Sequence, residues 1–257
     1  MIIDCASIYK EILEELKNKY QSCAPASLGI LTFGNDKGSE SYIKGISKTC
    51  KDIGIFVYTE ILNRDITQRQ FSQRVKHADL YYDGVILQLP IPKHLSIGQA
   101  FAFVSSKHDI DGFTRYSVFT PATAKGIMML LDRLSIDYNS KNCVMIGRSK
   151  HIGRAVAKEL LNRNCTTTIC HSYTDDITYY TKHADIIISA VGIPGFIKPD
   201  MIKHGAFIID VGVNEMENKI VGDVDLACAE IADITPVPGG IGLFTRVALI
   251  SNLLSTR

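Results

Sequence analysis

The chain carries no charge excess of either sign: Lys and Arg number 28, Asp and Glu 27, for a formal net charge of +1. That balance gives no electrostatic case for nucleic acid or an anionic membrane as the main partner. No apolar run approaches the roughly 18 residues a membrane span requires. The opening MIIDCASIYKEILEELKNKY has early acids and helical periodicity, not the basic-then-apolar pattern of a signal peptide. A cytoplasmic protein is expected. No C-x-x-C occurs among the seven cysteines, Cys5, Cys23, Cys50, Cys143, Cys165, Cys170 and Cys228. Their odd count and scattered spacing argue against a disulfide framework and against zinc. The seven histidines show no H-E-x-x-H spacing, so no metal site is expected. A strict G-x-G-x-x-G is missing as well.

What is present is an alternation of strand-like and helix-like segments along 257 residues, 46% of them hydrophobic and 21% charged. Ile8, Ile12, Leu13 and Leu16 form a helical stripe, and a short apolar run follows at Leu28 to Phe33. A helix is expected over Ser39 to Ile53, with Ile43, Ile46, Cys50 and Ile53 on one face. A strand near Ile55 to Tyr58, a helix over Thr67 to Ala78 and a strand at Val85 to Leu89 continue the series. A second series begins after Thr120: a helix over Thr123 to Leu134, a strand at Cys143 to Ile146, and a helix from about Ile152 to Arg163. Strand-like runs follow at Thr166 to Cys170, Ile186 to Ser189 and Phe207 to Val211, and an apolar helix over Val247 to Leu254 closes the chain. This order predicts an α/β protein with mainly parallel sheets. Two α/β units with a cleft between them are expected, and small-molecule sites favour such clefts.

The segment CVMIGRSKHIGRAVAKELL reads as strand, glycine turn and helix. Gly147 suits the turn and Gly153 a close approach of helix to strand, leaving helix-start amides to face a pyrophosphate. With Arg148 and Ser149 between the glycines the motif is irregular, and alone it is weak evidence for a dinucleotide. NAD-specific sites commonly place an acid at the tip of the next strand. Here TTTICHSYT ends in Cys170, His171 and Ser172, while Arg148 offers a planar donor fork suited to a phosphate. NADP is favoured, and the nearby Asp175 and Asp176 keep NAD as the alternative.

Three further segments resist a purely structural explanation. GVILQLPIP sets Gln88 in an apolar strand, where an unpaired amide is costly. HDIDGF puts Asp109 and Asp111 on a turn, and TPVPGGIG is dense in proline and glycine. With SESYIKG, TPATAKG, IGRSKHIG, CHSYT, ADIIISAVGIPGFI, GAFIIDVGVN and VGDV they occur in an order that resembles the methylenetetrahydrofolate dehydrogenase/methenyltetrahydrofolate cyclohydrolase family. The resemblance runs from about Ser39 to Gly242, and MIIDCASI also fits the family's opening.

The resemblance implies a folate-binding catalytic domain over 1–116, completed by a helix at 243–257, and a Rossmann-like NADP-binding domain over 117–242. It implies a tetrahydrofolate substrate lined by Tyr42, Leu87, Gln88, Leu89, Asp111, Pro238, Gly239 and Gly240. Tyr42 would stack on the pterin and Asp111 would bind its nitrogen edge. Thr123, Gly147, Arg148, Ser149, Ile152, Gly153, Ser172 and Val213 match cofactor-contacting positions. Tyr42, Gln88 and Asp111 are the candidate catalytic residues, and a homodimer is implied.

One departure bears on the chemistry. The family pattern is Tyr-x-x-x-Lys, and this chain reads Tyr42-Ile-Lys-Gly-Ile46. In the family that lysine acts with the glutamine and the aspartate to activate water against the methenyl carbon. Isoleucine cannot donate, accept or carry charge. Hydride transfer demands only alignment and exclusion of water. The expectation is therefore NADP-dependent oxidation of 5,10-methylenetetrahydrofolate to the methenyl form, with cyclohydrolase activity weak or absent. The alternatives are a working bifunctional enzyme and a non-catalytic folate- or NADP-binding dimeric protein. Two further departures border the expected site: the short Thr114–Thr120 stretch, and Leu243-Phe244-Thr245 followed by Arg246.

Overall fold

The computed structural model describes residues 1–21, 23–34, 36–217 and 219–256, with the backbone alone of Lys37. In chain order the elements are α1 (Cys5–Tyr20), β1 (Ser27–Thr32), α2 (Lys37–Ile53), β2 (Phe56–Ile61), α3 (Gln68–Tyr81), β3 (Gly84–Leu87) and α4 (Ile97–Phe101). There follow α5 (Ala122–Arg133), β4 (Asn142–Ile146), α6 (Gly153–Asn162), β5 (Thr166–Cys170), α7 (Ile177–Thr181) and β6 (Ile186–Ser189). The last are β7 (Phe207–Asp210), β8 (Asn214–Met216), β9 (Lys219–Val221), β10 (Asp233–Ile234) and α8 (Ile241–Leu254). The chain divides into two compact units, one of Ile12–Ala122 with Arg246–Arg257 and one of Met1–Glu11 with Thr123–Thr245.

The first of these units holds a three-stranded parallel sheet in the order β2-β1-β3. Its central strand reads SLGILT and is buried almost throughout, as a strand flanked on both sides must be. Leu31, Phe33, Phe71, Val75, Val85, Leu87 and Phe101 share one core. Helix α2 starts at Asp36, whose carboxylate accepts from the Ser39 amide at 2.7 Å. It stops at Gly54, whose φ of 89° lies in the left-handed region that glycine adopts freely. Helix α3 begins with a capping box formed by Thr67 and Gln70. In α8, Asn252 donates to the Ile110 carbonyl at 2.7 Å, which pins the end of the Asp109–Asp111 turn.

The other unit holds a five-stranded parallel sheet in the order β10-β7-β6-β4-β5. Its three central strands, β7, β6 and β4, are rich in isoleucine and buried along almost their whole length. Leaving β4 the chain builds β5 on one side, then crosses to build β6 on the other. That reversal is a topological switch point, and ligands of open α/β sheets bind outside the carboxyl ends of strands there. The chain start joins this unit through the Ile3 amide, which donates to Ile234 O at 2.9 Å. No helix among the described residues is long and apolar enough to cross a membrane.

Candidate active site

The switch point is lined by two loops, one leaving β4 at Gly147 and one leaving β6 at Ala190. Gly147 has φ 112°, a conformation closed to most side chains, and an added Cβ would stand 2.7 Å from Ala190 O. Gly153 opens α6 so close to the strand that a Cβ would meet the Gly147 carbonyl carbon at 2.7 Å and Arg148 Cα at 3.0 Å. Both obstacles are backbone, so neither glycine is replaceable without moving the turn. Ser149 Oγ accepts from the Gly153 amide at 3.3 Å, and Ile152 at the helix start makes no side-chain cap. The loop is therefore a bare backbone cradle at a helix N-terminus, suited to a pyrophosphate.

Arg148 and Ser172 are exposed beside this cradle, and the Arg148 guanidinium lies 5.4 Å from the centre of the Tyr173 ring. Of the two acids nearby, Asp176 caps α7, accepting from the Tyr179 amide at 3.2 Å. Val213 is exposed, and Thr123 accepts from the Thr245 hydroxyl at 3.5 Å. Pro238 and Gly239 are exposed and Gly240 is buried, all in this same unit.

Behind the loops stand two carboxylates that sequence reasoning did not single out. Asp223 is fully buried and accepts from the amides of Val191, Gly192 and Ile193 at 2.8, 3.2 and 3.0 Å. It also takes Asn214 Nδ2 at 3.0 Å, so one side chain organises the whole β6 loop. Asp210 accepts from the amides of Gly212, Asp223 and Val224. Burial pushes its pKa up to about 6 against those hydrogen bonds, and Asp223 adds to the rise. Asp210 faces a cavity of about 320 Å³ lined also by Pro194, Met216, Val224 and Val237. None of the expected cofactor residues lines that cavity.

In the other unit the structure assembles Tyr42, Gln88, Asp111 and Arg246. Gln88 is not within the strand as expected: β3 ends at Leu87, although the Gln88 amide still donates to Leu31 O at 2.9 Å. Proline at 90 has no N–H to continue the ladder, and the Leu89–Pro90 peptide is cis. The half-buried Gln88 side chain donates to Leu89 O at 3.0 Å and to Ser39 Oγ at 3.4 Å, so its amide is paired. Leu87 is buried in the core and Leu89 is exposed.

Asp109 is fully buried and accepts from the amides of Phe113 and Thr114 at 3.0 and 2.8 Å, which shapes the turn. Asp111 is half-buried. Desolvation raises its pKa to about 7, and the neighbouring Asp109 carboxylate pushes in the same direction. Burial also lifts the Tyr42 phenol above its ordinary range. Asp111 reinforces that lift and Arg246 opposes it, so the phenol lies within the field of both. Ile46, one turn further along α2, has no exposed surface, while Lys44 and Lys48 are both exposed.

Taken together, a parallel sheet with a glycine cradle at its switch point defines a dinucleotide-binding α/β enzyme, with a second unit presenting a half-buried acid, amide and phenol. The comparisons with known proteins narrow the class. Residues 3–111 match the tetrahydrofolate dehydrogenase/cyclohydrolase catalytic domain, and residues 121–257 match the NAD(P)-binding domain of the same family. The chain belongs to the tetrahydrofolate dehydrogenase/cyclohydrolase family. It is 41% identical to the bifunctional protein FolD of Acholeplasma laidlawii, over 96% of this chain and 94% of the relative. It is 38% identical to that of Nitratiruptor, over 96% and 92%. The crystal structure of the bifunctional enzyme from Campylobacter jejuni superposes with a TM-score of 0.94 at 34% identity, covering 100% of this chain and 98% of that one. The Trypanosoma brucei enzyme, solved with NADP and an inhibitor, gives a TM-score of 0.91 at 29% identity, over 100% and 96%.

Proposed function

We propose that the protein oxidises 5,10-methylenetetrahydrofolate to the 5,10-methenyl form with NADP, and hydrolyses the methenyl product little faster than water does. The observation that carries the second clause is Ile46, an apolar side chain one turn from Tyr42 where the family pattern has lysine. Family membership and the bare glycine cradle support the first.

NADP accepts the hydride. The cradle of Gly147, Arg148, Ser149, Ile152 and Gly153 holds the pyrophosphate, and Arg148 with Ser172 receives the 2′-phosphate. Asp176 is committed to the α7 cap, and Cys170, His171 and Ser172 bring no acid to the strand tip. Thr123 lies close to the nicotinamide, and Val213 is a further contact of the cofactor. Tyr42 stacks on the pterin, Asp111 accepts from its nitrogen edge, and Leu87, Gln88, Leu89 and Pro238 to Gly240 line the folate. The folate nitrogens push the hydride off the bridging methylene, so the protein's tasks are to align two carbons and exclude water.

Hydrolysis asks for more, since a water must be held on the carbon and a proton moved as it attacks. Gln88 orients but does not shuttle protons. Asp111 is occupied by the pterin. The domain reading is a folate unit of 1–116 completed by 243–257, and a cofactor unit of 117–242. We place the enzyme in the cytoplasm as a homodimer. Formation of NADPH from methylenetetrahydrofolate by the purified protein tests the proposal; no NADPH, with folate and NADP still bound, would favour the non-catalytic reading.

A further inference from the structure

Helix α2 has a glycine at position 45, well inside its span of Lys37–Ile53. An interior glycine costs about 1 kcal/mol relative to alanine, so its presence asks for a reason. The reason lies in α8. A Cβ on Gly45 would stand 3.1 Å from Arg246 Cζ and 3.3 Å from Arg246 Cδ, with a terminal guanidinium nitrogen closer still. The half-buried Arg246 side chain therefore fills the space a side chain at 45 would take.

Tyr42 is three residues before Gly45 and four before Ile46. At about 100° per residue, Gly45 lies about 60° to one side of Tyr42 and Ile46 about 40° to the other. The helix thus sets the Arg246 guanidinium at Gly45 to one side of Tyr42 and the buried Ile46 to the other. Arg246 and Asp111 are the charged groups that act on the Tyr42 hydroxyl, with opposite effects.

We propose that Arg246 is a positioning residue of the folate site, its guanidinium admitted by the missing side chain at Gly45 and holding the Tyr42 ring where the substrate meets it. The proposal rests on the reading of Tyr42 as a folate contact. Arginine does not deprotonate in proteins, so this cation fixes geometry and field without exchanging a proton. It replaces the charge that Ile46 lacks, and it leaves the proton transfer of hydrolysis unserved.

Three variants test it: Arg246→Met keeps length and apolar stem, Arg246→Lys keeps charge, and Gly45→Ala keeps both but occupies the guanidinium's place. The Met variant should raise KM for methylenetetrahydrofolate about tenfold, with KM for NADP within about twofold of the unmodified protein and little change in kcat. Lysine should recover part of the loss. Gly45→Ala should give opposite signs, a higher Tm from better helix propensity and a higher folate KM from the displaced guanidinium. Folate KM unchanged in both Arg246→Met and Gly45→Ala would overturn the proposal, as would equal losses for both substrates tracking a fall in Tm. Crystal structures of the same two variants give a readout independent of catalysis: Tyr42 should leave its position in each. If the unmodified protein makes no NADPH, the functional reading fails, while an unmoved Tyr42 in these structures would still reject the role of Arg246.

Discussion

Ile46 follows Tyr42 by one turn of α2 and is wholly shut off from solvent, whereas Tyr42 keeps part of its surface exposed. The two share a helix face, and of the pair only Tyr42 keeps contact with solvent. Cys50 continues the buried stripe one turn further on and is equally closed. Ile46 is thus part of the core.

Ile46→Lys should restore some hydrolysis of methenyltetrahydrofolate while lowering stability. An ammonium in a fully buried site costs roughly 3–5 kcal/mol unless it pairs, and its pKa falls as burial disfavours the charged form. A neutral lysine near Tyr42 and Gln88 would be able to take a proton from water. The measurement is methenyl decay beside a denaturant melt; a destabilised variant with hydrolysis at the buffer rate would show that more than the lysine is missing.

Asp111 makes folate binding depend on pH. Its carboxyl titrates at about 7, raised first by burial and then by Asp109. As the ionised group is the better acceptor for the pterin's N–H edge, folate affinity should rise as pH passes upward through about 7. The effect on stability has the opposite sign. Folded, the group keeps its proton to about 7; unfolded, it loses it near its ordinary value of about 3.9. The stability it lends is full below about 4 and is lost as pH rises through about 7. Asp111→Asn should flatten both profiles, and a variant with unchanged pH dependence of folate affinity would place the titrating group elsewhere.

Arg148→Ala should erase most of the preference for NADP. In the unmodified protein that preference should be at least tenfold over NAD, about 1.4 kcal/mol. Calorimetric titration of each dinucleotide reads it directly. Equal affinities for the two before mutation would contradict the assignment of Arg148 and Ser172 to a phosphate.

Asp223→Ala should be among the most damaging substitutions outside the reacting groups. It strands the amides of Val191, Gly192 and Ile193 and the Asn214 side chain in a buried site. Each unsatisfied buried donor costs about 1–3 kcal/mol. Asp223→Asn should be milder, since one oxygen still accepts. Thermal melts with and without NADP check this: the alanine variant should lose several degrees and bind NADP more weakly, because the loop it holds borders the switch point.

Much of this was legible in the chain itself. The run Ile186–Ser189 is a strand over the bounds its apolar character predicts, because a strand buried on both faces leaves no polar alternation to blur its ends. The glycine turn was readable because only glycine tolerates the φ of Gly147 and the contact at Gly153. The closing helix was read too short: α8 starts at Ile241, and Gly242 at its head hides the first turn from propensity. Strands β8, β9 and β10, of two or three residues each, carry no periodicity to detect. The apolar neighbours of Gln88 predict a place inside the strand, whereas the proline two residues on decides where pairing stops. The roles of Asp223 and Arg246 depend on partners about 30 and 200 residues away in sequence, which no local pattern reports.

An enzyme of this kind should oxidise the one-carbon bridge without hydrolysing it. The direct measurement is the decay of methenyltetrahydrofolate absorbance with the purified protein, against buffer alone, on a sample whose NADP-dependent dehydrogenase rate has just been recorded. Dehydrogenation should be measurable and the decay should stay within about twofold of the buffer rate. Decay many times faster than buffer on that same sample would contradict it, and would mean that a group other than a lysine at position 46 moves the proton.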